Sequence, residues 1–236
     1  MKVRFRGVVV LAAVVTGLLT GGAWLRAQQA TITPMAKELN KSFDEDMARW
    51  AERFEHEGRG IFDNRYRILD ALELQPGMAV ADIGAGSGLI SRLIAERVGP
   101  SGTVYAVDVA KSMVDHVSKT AIEKRLPQLK AILGDPRTPK LPPDSVDRIC
   151  IIDSYHHFEF PSDMLAEMKK ALRPQGVLVL IDFKRVEGVS QDYILKMVRA
   201  GQGTFTDEFV NAGFTLIERR DDFTPENYLM KFRRRS

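Results

Sequence analysis

The sequence predicts an α/β fold, in which a largely parallel, doubly wound sheet ends in an antiparallel hairpin. From residue 78 onwards, apolar segments of strand length alternate with segments of helical periodicity, which is typical of parallel strands joined by helices. The last two apolar segments, residues 214–220 (FTLIERR) and 226–233 (ENYLMKFR), are separated only by a turn at Thr224-Pro225. Two strands joined without a helix predict an antiparallel pair.

The first half of this region contains three predicted strands and two predicted helices. The strands are residues 78–83 (MAVADI), 103–108 (TVYAVD) and 129–133 (LKAIL). The helix over residues 87–98 has Leu89, Leu93 and Ile94 on one face, and Gly99-Pro100 ends it. The second helix covers residues 111–125.

The second half begins with a nearly continuous apolar segment, residues 146–153 (VDRICIID), which predicts a strand buried in a parallel sheet. A helix over residues 161–172 follows, with proline near its first position. A strand over residues 176–183 (GVLVLIDF) and a short helix over residues 204–212 lead to the hairpin. The sequence therefore contains seven predicted strands.

Two helices are expected ahead of the first strand, over residues 41–75. Ser42-Phe43-Asp44-Glu45 has the form of a capping box. The apolar residues at helical spacing in this first helix are Phe43, Met47, Trp50 and Phe54. A second helix is expected to begin at Asp63, with Tyr66 on its apolar face. We expect both helices to cover the strand ends as part of a domain spanning residues 41–236.

The first 27 residues are expected to lie outside this domain. MKVRFR is basic, and residues 7–25 that follow it are apolar and uncharged, a pattern that fits a secretory signal peptide or an N-terminal membrane anchor. The most apolar part, residues 8–19, has the length of a signal-peptide core and favours cleavage. Residues 28–40 then form a polar linker. The domain is expected to be exported, or held at a membrane through residues 7–25.

The charge distribution argues against nucleic acid binding, and the cysteine content argues against disulfides and cysteine-based zinc sites. The formal net charge of +3 comes from residues 1–27, which hold four basic residues and no acidic one; 30 basic and 31 acidic residues remain beyond them. This near-neutral body gives no electrostatic reason to expect nucleic acid binding. Cys150 is the only cysteine, so neither an intrachain disulfide nor a cysteine-based zinc site is expected.

A glycine-rich loop, VADIGAGSG (residues 80–88), follows the first predicted strand and opens a helix. Glycine permits a tight turn and a close ligand, and in a doubly wound sheet this turn lies at the edge where ligands bind. Asp108 ends the second strand 20 residues after Gly88, where its carboxylate can accept hydrogen bonds from both ribose hydroxyls of a nucleoside. Leu89 stands where the dinucleotide fingerprint has its third glycine, which argues against a nicotinamide enzyme.

Four segments in order resemble the class I S-adenosylmethionine-dependent methyltransferases: VADIGAGSG, YAVDVAKSM, LGDPRTPKLPPDSVD and ALRPQGVLVLIDF. The resemblance runs from about residue 80 to residue 183. It implies S-adenosyl-L-methionine as the cofactor, and a seven-stranded sheet in the order 3-2-1-4-5-7-6 with an antiparallel seventh strand. That strand agrees with the hairpin predicted from the pattern.

The resemblance also implies a set of cofactor-binding residues. These are Asp82, Gly84, Ala85, Gly86, Gly88, Asp108, Val109, Met113, Asp135 and Asp153. Asp82 and the loop would surround the methionine portion, Asp108 would bind the ribose, and Asp153 would lie beside the methyl donor. Val109 and Met113 would flank the adenine, with Asp135 at its amino group. Two alternatives stay open, because Asp135 could simply close a turn and Met113 could belong to the core.

Two adjacent histidines, His156 and His157, follow the fourth predicted strand in the segment DSYHHFEF. Neighbouring side chains diverge on a strand or a helix, and no further ligand completes a set, so no metal site is expected. The resemblance places both histidines at the methyl-transfer site, where either is a candidate general base. They could instead only line the pocket, which Tyr155 and Phe158 would then close.

The expected function is methyl transfer to a small molecule. The N/D-P-P-Y/F stretch that is common in enzymes methylating nucleic-acid base amines is replaced here by Asp153-Ser154-Tyr155-His156, which disfavours that substrate. Two other functions remain open at this point. One is an envelope protein or lipid methyltransferase, and the other is a non-catalytic nucleoside-binding module.

Overall fold

The computed structural model describes residue 40 and residues 47–235. The predicted signal or anchor segment, nearly all of the linker, and the capping box with Phe43 lie outside the described residues. Within residue 40 and residues 47–235, no helix has both the length and the apolar character needed to cross a membrane.

One sheet forms the centre of the domain. Its strands are β1 (Ala79–Ile83), β2 (Thr103–Asp108), β3 (Leu129–Leu133), β4 (Val146–Ile152), β5 (Leu172–Phe183), β6 (Phe214–Arg220) and β7 (Asn227–Arg234). They lie in the order β3-β2-β1-β4-β5-β7-β6, which confirms the predicted order. β1 to β5 pair in parallel, whereas β7 runs antiparallel to both β5 and β6, which confirms the predicted hairpin.

Eight helices accompany the sheet within the described residues. They are α1 (Met47–Phe54), α2 (Gly60–Asp63), α3 (Arg65–Ala71), α4 (Leu89–Val98), α5 (Lys111–Glu123), α6 (Pro161–Ala171), α7 (Asp192–Met197) and α8 (Gln202–Asn211). A 3-10 turn, Tyr155–His157, follows β4. The short α7 was not predicted, because six residues are too few to show a helical period.

The N-terminal helices differ from the prediction at Asp63. This residue ends α2 instead of capping a helix, and its carboxylate accepts hydrogen bonds from the backbone N–H of Gly58 at 3.1 and 3.2 Å. The carboxylate therefore closes the loop before α2. Tyr66 is 57% exposed, so it is not part of the apolar face, which consists of Ile68, Leu69 and Leu72.

The core has one layer on each face of the sheet, and β5 shows why. Leu178 and Leu180 pack into the layer that contains Phe205 and Phe209 of α8. Val177, Val179 and Ile181 alternate with them and pack into the opposite layer, which contains residues of α3, α4 and α5. Because successive side chains of a strand point to opposite faces, a continuously apolar strand is buried on both.

The aromatic contact between Phe209 and Phe232 anchors α8 to β7, with stacked rings whose centroids lie 4.4 Å apart. Both side chains are fully buried. We predict that Phe209→Ala lowers the free energy of unfolding by about 3–5 kcal/mol, because it leaves a cavity in the core. Urea denaturation measures this loss. The control Ile122→Ala, at a residue that is 80% exposed, should change stability by less than about 0.5 kcal/mol. Equal effects of the two substitutions would contradict the packing described here.

Candidate functional site

A cavity of about 600 Å³ lies at the carboxyl ends of β1, β2 and β4. Nine of the ten predicted cofactor residues line it, and His156 and His157 line it as well. The remaining one, Gly88, is not among the lining residues. A Cβ at Gly88 would lie 2.7 Å from Cγ2 of Val117, so this glycine lets α5 pack against the loop.

The glycine loop is held by backbone contacts and by a close approach to β4. The N–H groups of Gly84 and Ala85 donate to the carbonyl oxygen of Val107, at 2.8 and 3.0 Å. Gly84 has a φ of 75°, and a Cβ on it would lie 1.7 Å from Oγ of Ser154. Only glycine fits there, both for its backbone conformation and for its neighbour.

Asp108 lies at the end of β2 and is half-buried. Its Oδ2 accepts a hydrogen bond from the N–H of Gly86 at 2.9 Å, and its Oδ1 accepts one from the N–H of Ala110 at 3.0 Å. These two contacts fix the orientation of the carboxylate, and the residue lines the cavity. Val109 and Met113, which follow it, also line the cavity, although Met113 is only 2% exposed and belongs to the core as well.

Asp135 does close a turn, the alternative left open by the sequence. Its Oδ1 accepts hydrogen bonds from the N–H groups of Arg137 and Thr138, at 2.8 and 3.1 Å. Its other oxygen, Oδ2, lies 4.0 Å from Nζ of Lys140. The residue lines the cavity, so the turn and a ligand contact through Oδ2 are compatible.

Asp82 lies in β1, and its carboxyl group is buried. The hydroxyl of Ser91 donates to its Oδ2 at 2.6 Å, and Sγ of Cys150 lies 3.6 Å from its Oδ1. Burial raises the pKa of Asp82 to about 6, although the Ser91 hydrogen bond opposes the rise. The sequence indicated neither Ser91 nor Cys150 as a partner of this acid.

Asp153 follows β4 in a left-handed backbone conformation, with a φ of 46°. The amide Nδ2 of Asn227 donates to its Oδ1 at 2.7 Å, and Nη2 of Arg59 lies 3.7 Å from its Oδ2. Burial raises the pKa of Asp153 to about 7, although the charge of Arg59 opposes the rise. The sequence indicated neither residue as a partner of this acid, although Arg59 lies in the segment of residues 41–75 that is expected to cover the strand ends.

The two histidines lie in the 3-10 turn after β4, with ring centroids 4.2 Å apart, and they differ in environment. Nδ1 of His156 lies 2.7 Å from Oδ1 of the buried Asp182. Burial lowers the pKa of His157 well below its usual value, and His156 adds to this effect. No group of three or more His, Cys, Asp or Glu residues that could hold a metal ion occurs in the described part of the chain.

Tyr155 does not close the cavity. Its fully buried ring packs against Phe205 and Phe209 at centroid distances of 4.9 Å, and its hydroxyl donates to Glu208 at 2.7 Å. Tyr155 therefore anchors the 3-10 turn Tyr155–His157, called the histidine turn below, to α8. Phe158 does line the cavity, as predicted.

Helix α1 lies beside the glycine loop. Trp50, Arg53 and Phe54 line the cavity, and a Cβ on Gly86 would lie 3.3 Å from the ring of Phe54. Glu55, just after the helix, forms an ion pair with Arg92 of α4 at 2.6 Å. The amide of Asn40 donates to the carbonyl oxygen of His157 at 3.2 Å. These contacts agree with the expected cover over the strand ends.

Comparisons with known proteins agree with this architecture. A family model described as a methyltransferase domain matches residues 81–180. A nocamycin O-methyltransferase of Saccharothrix syringae is 36% identical over 110 residues, which cover 47% of this chain and 39% of the relative. A ubiquinone/menaquinone biosynthesis C-methyltransferase of Bordetella parapertussis is 33% identical over 113 residues, which cover 48% of this chain and 43% of the relative. The chain thus spans less than half of the length of these two relatives.

Among solved structures, a SAM dependent methyltransferase from Aquifex aeolicus is similar to this chain, with a TM-score of 0.71. The two sequences are 21% identical, and the similarity covers 79% of this chain and 97% of that chain. At this level of identity the similarity shows a shared fold.

The raised pKa of Asp153 leads to a prediction about stability and pH. A carboxyl group whose pKa rises from 3.8 to about 7 on folding favours the folded state below pH 3.8, and this contribution is lost as the pH rises through about 7. We therefore predict that Asp153→Asn becomes progressively more stable relative to the wild type between pH 5 and pH 8. The gain between these pH values should be on the order of a few kcal/mol.

Urea denaturation at several pH values measures this difference. The slope of this difference with pH is the relevant quantity, because contacts that do not depend on the charge of the carboxyl group add only a constant offset, whereas the Arg59 ion pair is already included in the pKa. The matched control is Asp70→Asn, at a side chain that is 71% exposed. A pH-independent offset for Asp153→Asn would show that the carboxyl group titrates normally in the folded protein.

Proposed function

Because a family model described as a methyltransferase domain matches residues 81–180, we propose that the chain is a class I S-adenosylmethionine-dependent methyltransferase and that it transfers a methyl group from S-adenosyl-L-methionine to a small molecule. The observation that carries the proposal is the convergence of separate sequence segments on one cavity. Acidic residues from the ends of β1, β2 and β4 meet there, and so do the two histidines. Binding sites in open α/β sheets lie at these strand ends.

The residues around the cavity fit this cofactor. Asp108 lines the cavity at the end of β2, and a carboxylate there can accept hydrogen bonds from two ribose hydroxyls. Asp82 and Asp153 place carboxyl groups near the glycine loop, where they favour a cationic sulfonium and ammonium group. Val109 and Met113 offer apolar surface to the adenine, and Oδ2 of Asp135 can accept from its amino group. When bound, S-adenosyl-L-methionine supplies an electrophilic methyl group.

The shape of the site favours a small acceptor. The cavity of about 600 Å³ lies within the range typical of small-molecule sites, and α1 partly covers it. Its lining includes the rings of Phe158, Phe183 and Tyr193, which suit an acceptor with an apolar body. Two of the relatives are named for nocamycin and for ubiquinone or menaquinone biosynthesis, which supports a small organic acceptor.

Two other functions compete with this one. An envelope protein or lipid methyltransferase is favoured by the apolar segment of residues 7–25. A non-catalytic nucleoside-binding module would bind its ligand through the same cofactor residues but would not catalyse a reaction. Nucleic acid is not proposed as a partner, because the body of the protein is near neutral in charge.

Calorimetry tests the cofactor. We predict that the protein binds S-adenosyl-L-methionine and S-adenosylhomocysteine, and that Asp108→Ala weakens both about 10- to 100-fold, since hydrogen bonds to a charged group contribute about 1.5–3 kcal/mol. Asp115→Ala, at an exposed residue of α5, is the control and should bind normally. Tight binding of NAD without any signal for S-adenosyl-L-methionine would refute the proposal. Circular dichroism confirms that each variant is folded.

The location of the protein is a separate proposal: export, or attachment to a membrane through residues 7–25. If residues 1–27 are a cleaved signal peptide, sequencing of the mature protein gives Gln28 as the first residue. A retained anchor gives an intact N-terminus in the membrane fraction. An intact chain found only in the soluble fraction would contradict both forms of the proposal.

A further inference from the structure

His156 is held by a carboxylate that lies outside the predicted cofactor residues. Its Nδ1 lies 2.7 Å from Oδ1 of Asp182, and its backbone N–H donates to Oδ2 of the same residue at 3.2 Å. The backbone N–H of Phe183 donates to Oδ1 at 2.8 Å. The side chains of His156 and Asp182 are 1% and 0% exposed, so water does not weaken these contacts.

These contacts determine which nitrogen of the neutral imidazole carries the proton. A carboxylate only accepts hydrogen bonds, so Nδ1 must donate, and Nε2 is left with its lone pair. Nε2 is buried and has no hydrogen-bonding partner among the residues that the structure describes. His156 also lines the cavity. A buried polar atom without a partner calls for an explanation, and the proton of a bound acceptor provides one.

We propose, on the basis of the function proposed above, that His156 is the catalytic base, that Asp182 is its positioning residue, and that the acceptor is an alcohol, phenol or enol. A hydroxyl oxygen of this kind must lose a proton as it attacks, and a positioned imidazole can take it. A carboxylic acid is already ionised at neutral pH, and an uncharged amine already offers its lone pair. Neither of these acceptors needs the base that the structure provides.

Methyl transfer to a hydroxyl group breaks two bonds and forms two. The acceptor O–H bond breaks and its proton passes to Nε2 of His156, while the oxygen forms a bond to the methyl carbon. The bond between sulfur and the methyl carbon breaks, and its electron pair stays on sulfur to give neutral S-adenosylhomocysteine. His156 is then an imidazolium beside the carboxylate of Asp182, and it later releases the proton to water.

Asp153 is the other acid near this turn, and it is less suited to the task. Its Oδ1 accepts a hydrogen bond from Asn227, and its Oδ2 faces Arg59. Although burial raises the pKa of Asp153 to about 7, both of its oxygens already face partners, whereas Nε2 of His156 has none among the described residues. Asp182 cannot take the proton from the acceptor directly, because His156 and Phe183 cover its oxygens.

The tautomer of His156 provides a test that needs no acceptor. In 15N NMR spectra of the full chain with S-adenosylhomocysteine at pH 8, the ring of His156 should carry a proton on Nδ1 and none on Nε2. His156→Gln assigns the resonance. In Asp182→Asn the preference for Nδ1 should weaken, because the amide offers a donor as well as an acceptor, whereas Asp182→Glu should keep the proton on Nδ1. A wild-type ring with its proton on Nε2 overturns the proposal.

The acceptor class is tested by product analysis. The protein is incubated with S-adenosyl-L-methionine carrying a 13C methyl group and with a small-molecule extract of the source cells, and the carbon shift of the product identifies the methylated atom. We expect an O–CH3 group, and a product with N–CH3 or S–CH3 overturns the hydroxyl assignment. His156→Gln should slow formation of this product by about 10²- to 10⁴-fold. Asp182→Asn should slow formation of the product by nearly as much as His156→Gln does. Asp182→Glu should form the product faster than Asp182→Asn.

Calorimetry with S-adenosylhomocysteine keeps two failures apart. A wild-type protein that does not bind it contradicts the proposed function. A protein that binds it but has the other tautomer contradicts only the roles of His156 and Asp182. Both variants of Asp182 should bind S-adenosylhomocysteine as the wild type does, because the carboxylate contacts the histidine turn and not the glycine loop.

Discussion

The contact between Gly84 and Ser154 determines how closely the ends of β1 and β4 approach each other. Any side chain at Gly84 would overlap with Oγ of Ser154, so the glycine loop and the histidine turn can be neighbours only with glycine at this position. The rest of the site depends on that approach. The close approach places Asp82 just before the glycine loop and Asp153 just before the histidine turn, so that both acids line the same cavity. A larger residue would separate the two loops and divide the site.

Several ionisable groups are buried around this cavity, and each is supported by its neighbours. Ser91 and Cys150 contact Asp82, while Asn227 and Arg59 contact Asp153. Burying a charge without such partners costs several kcal/mol. The pKa values of both acids are nevertheless raised, because the partners compensate only part of the burial. Acids held in this state respond strongly to a nearby positive charge, which suits a site for a cationic ligand.

The fold was predictable from the sequence because its signals are local. Alternating strand and helix patterns gave the seven strands, and the positions of acids such as Asp108 followed from the rule that parallel strands end at one edge. Partners were not predictable, since they depend on contacts between distant segments. Asp182 read as an ordinary residue of the strand GVLVLIDF, and no pattern linked it to a histidine 26 positions earlier. Tyr155 was wrongly placed in the pocket wall, because aromatic residues look alike in a core and in a pocket.

The pairing of His156 with Asp182 has an electrostatic consequence for the proposed reaction. Before transfer, the positive charge is on the sulfonium, and afterwards it is on the imidazolium, so charge moves within the cavity but is not created. Asp153 and Asp182 both interact electrostatically with His156. Carboxylates fixed in a site of low dielectric stabilise such a charge without having to reorganise during the step. With a neutral hydroxyl acceptor the positive charge stays in the cavity throughout the step, whereas an anionic acceptor would cancel the charge that these carboxylates stabilise.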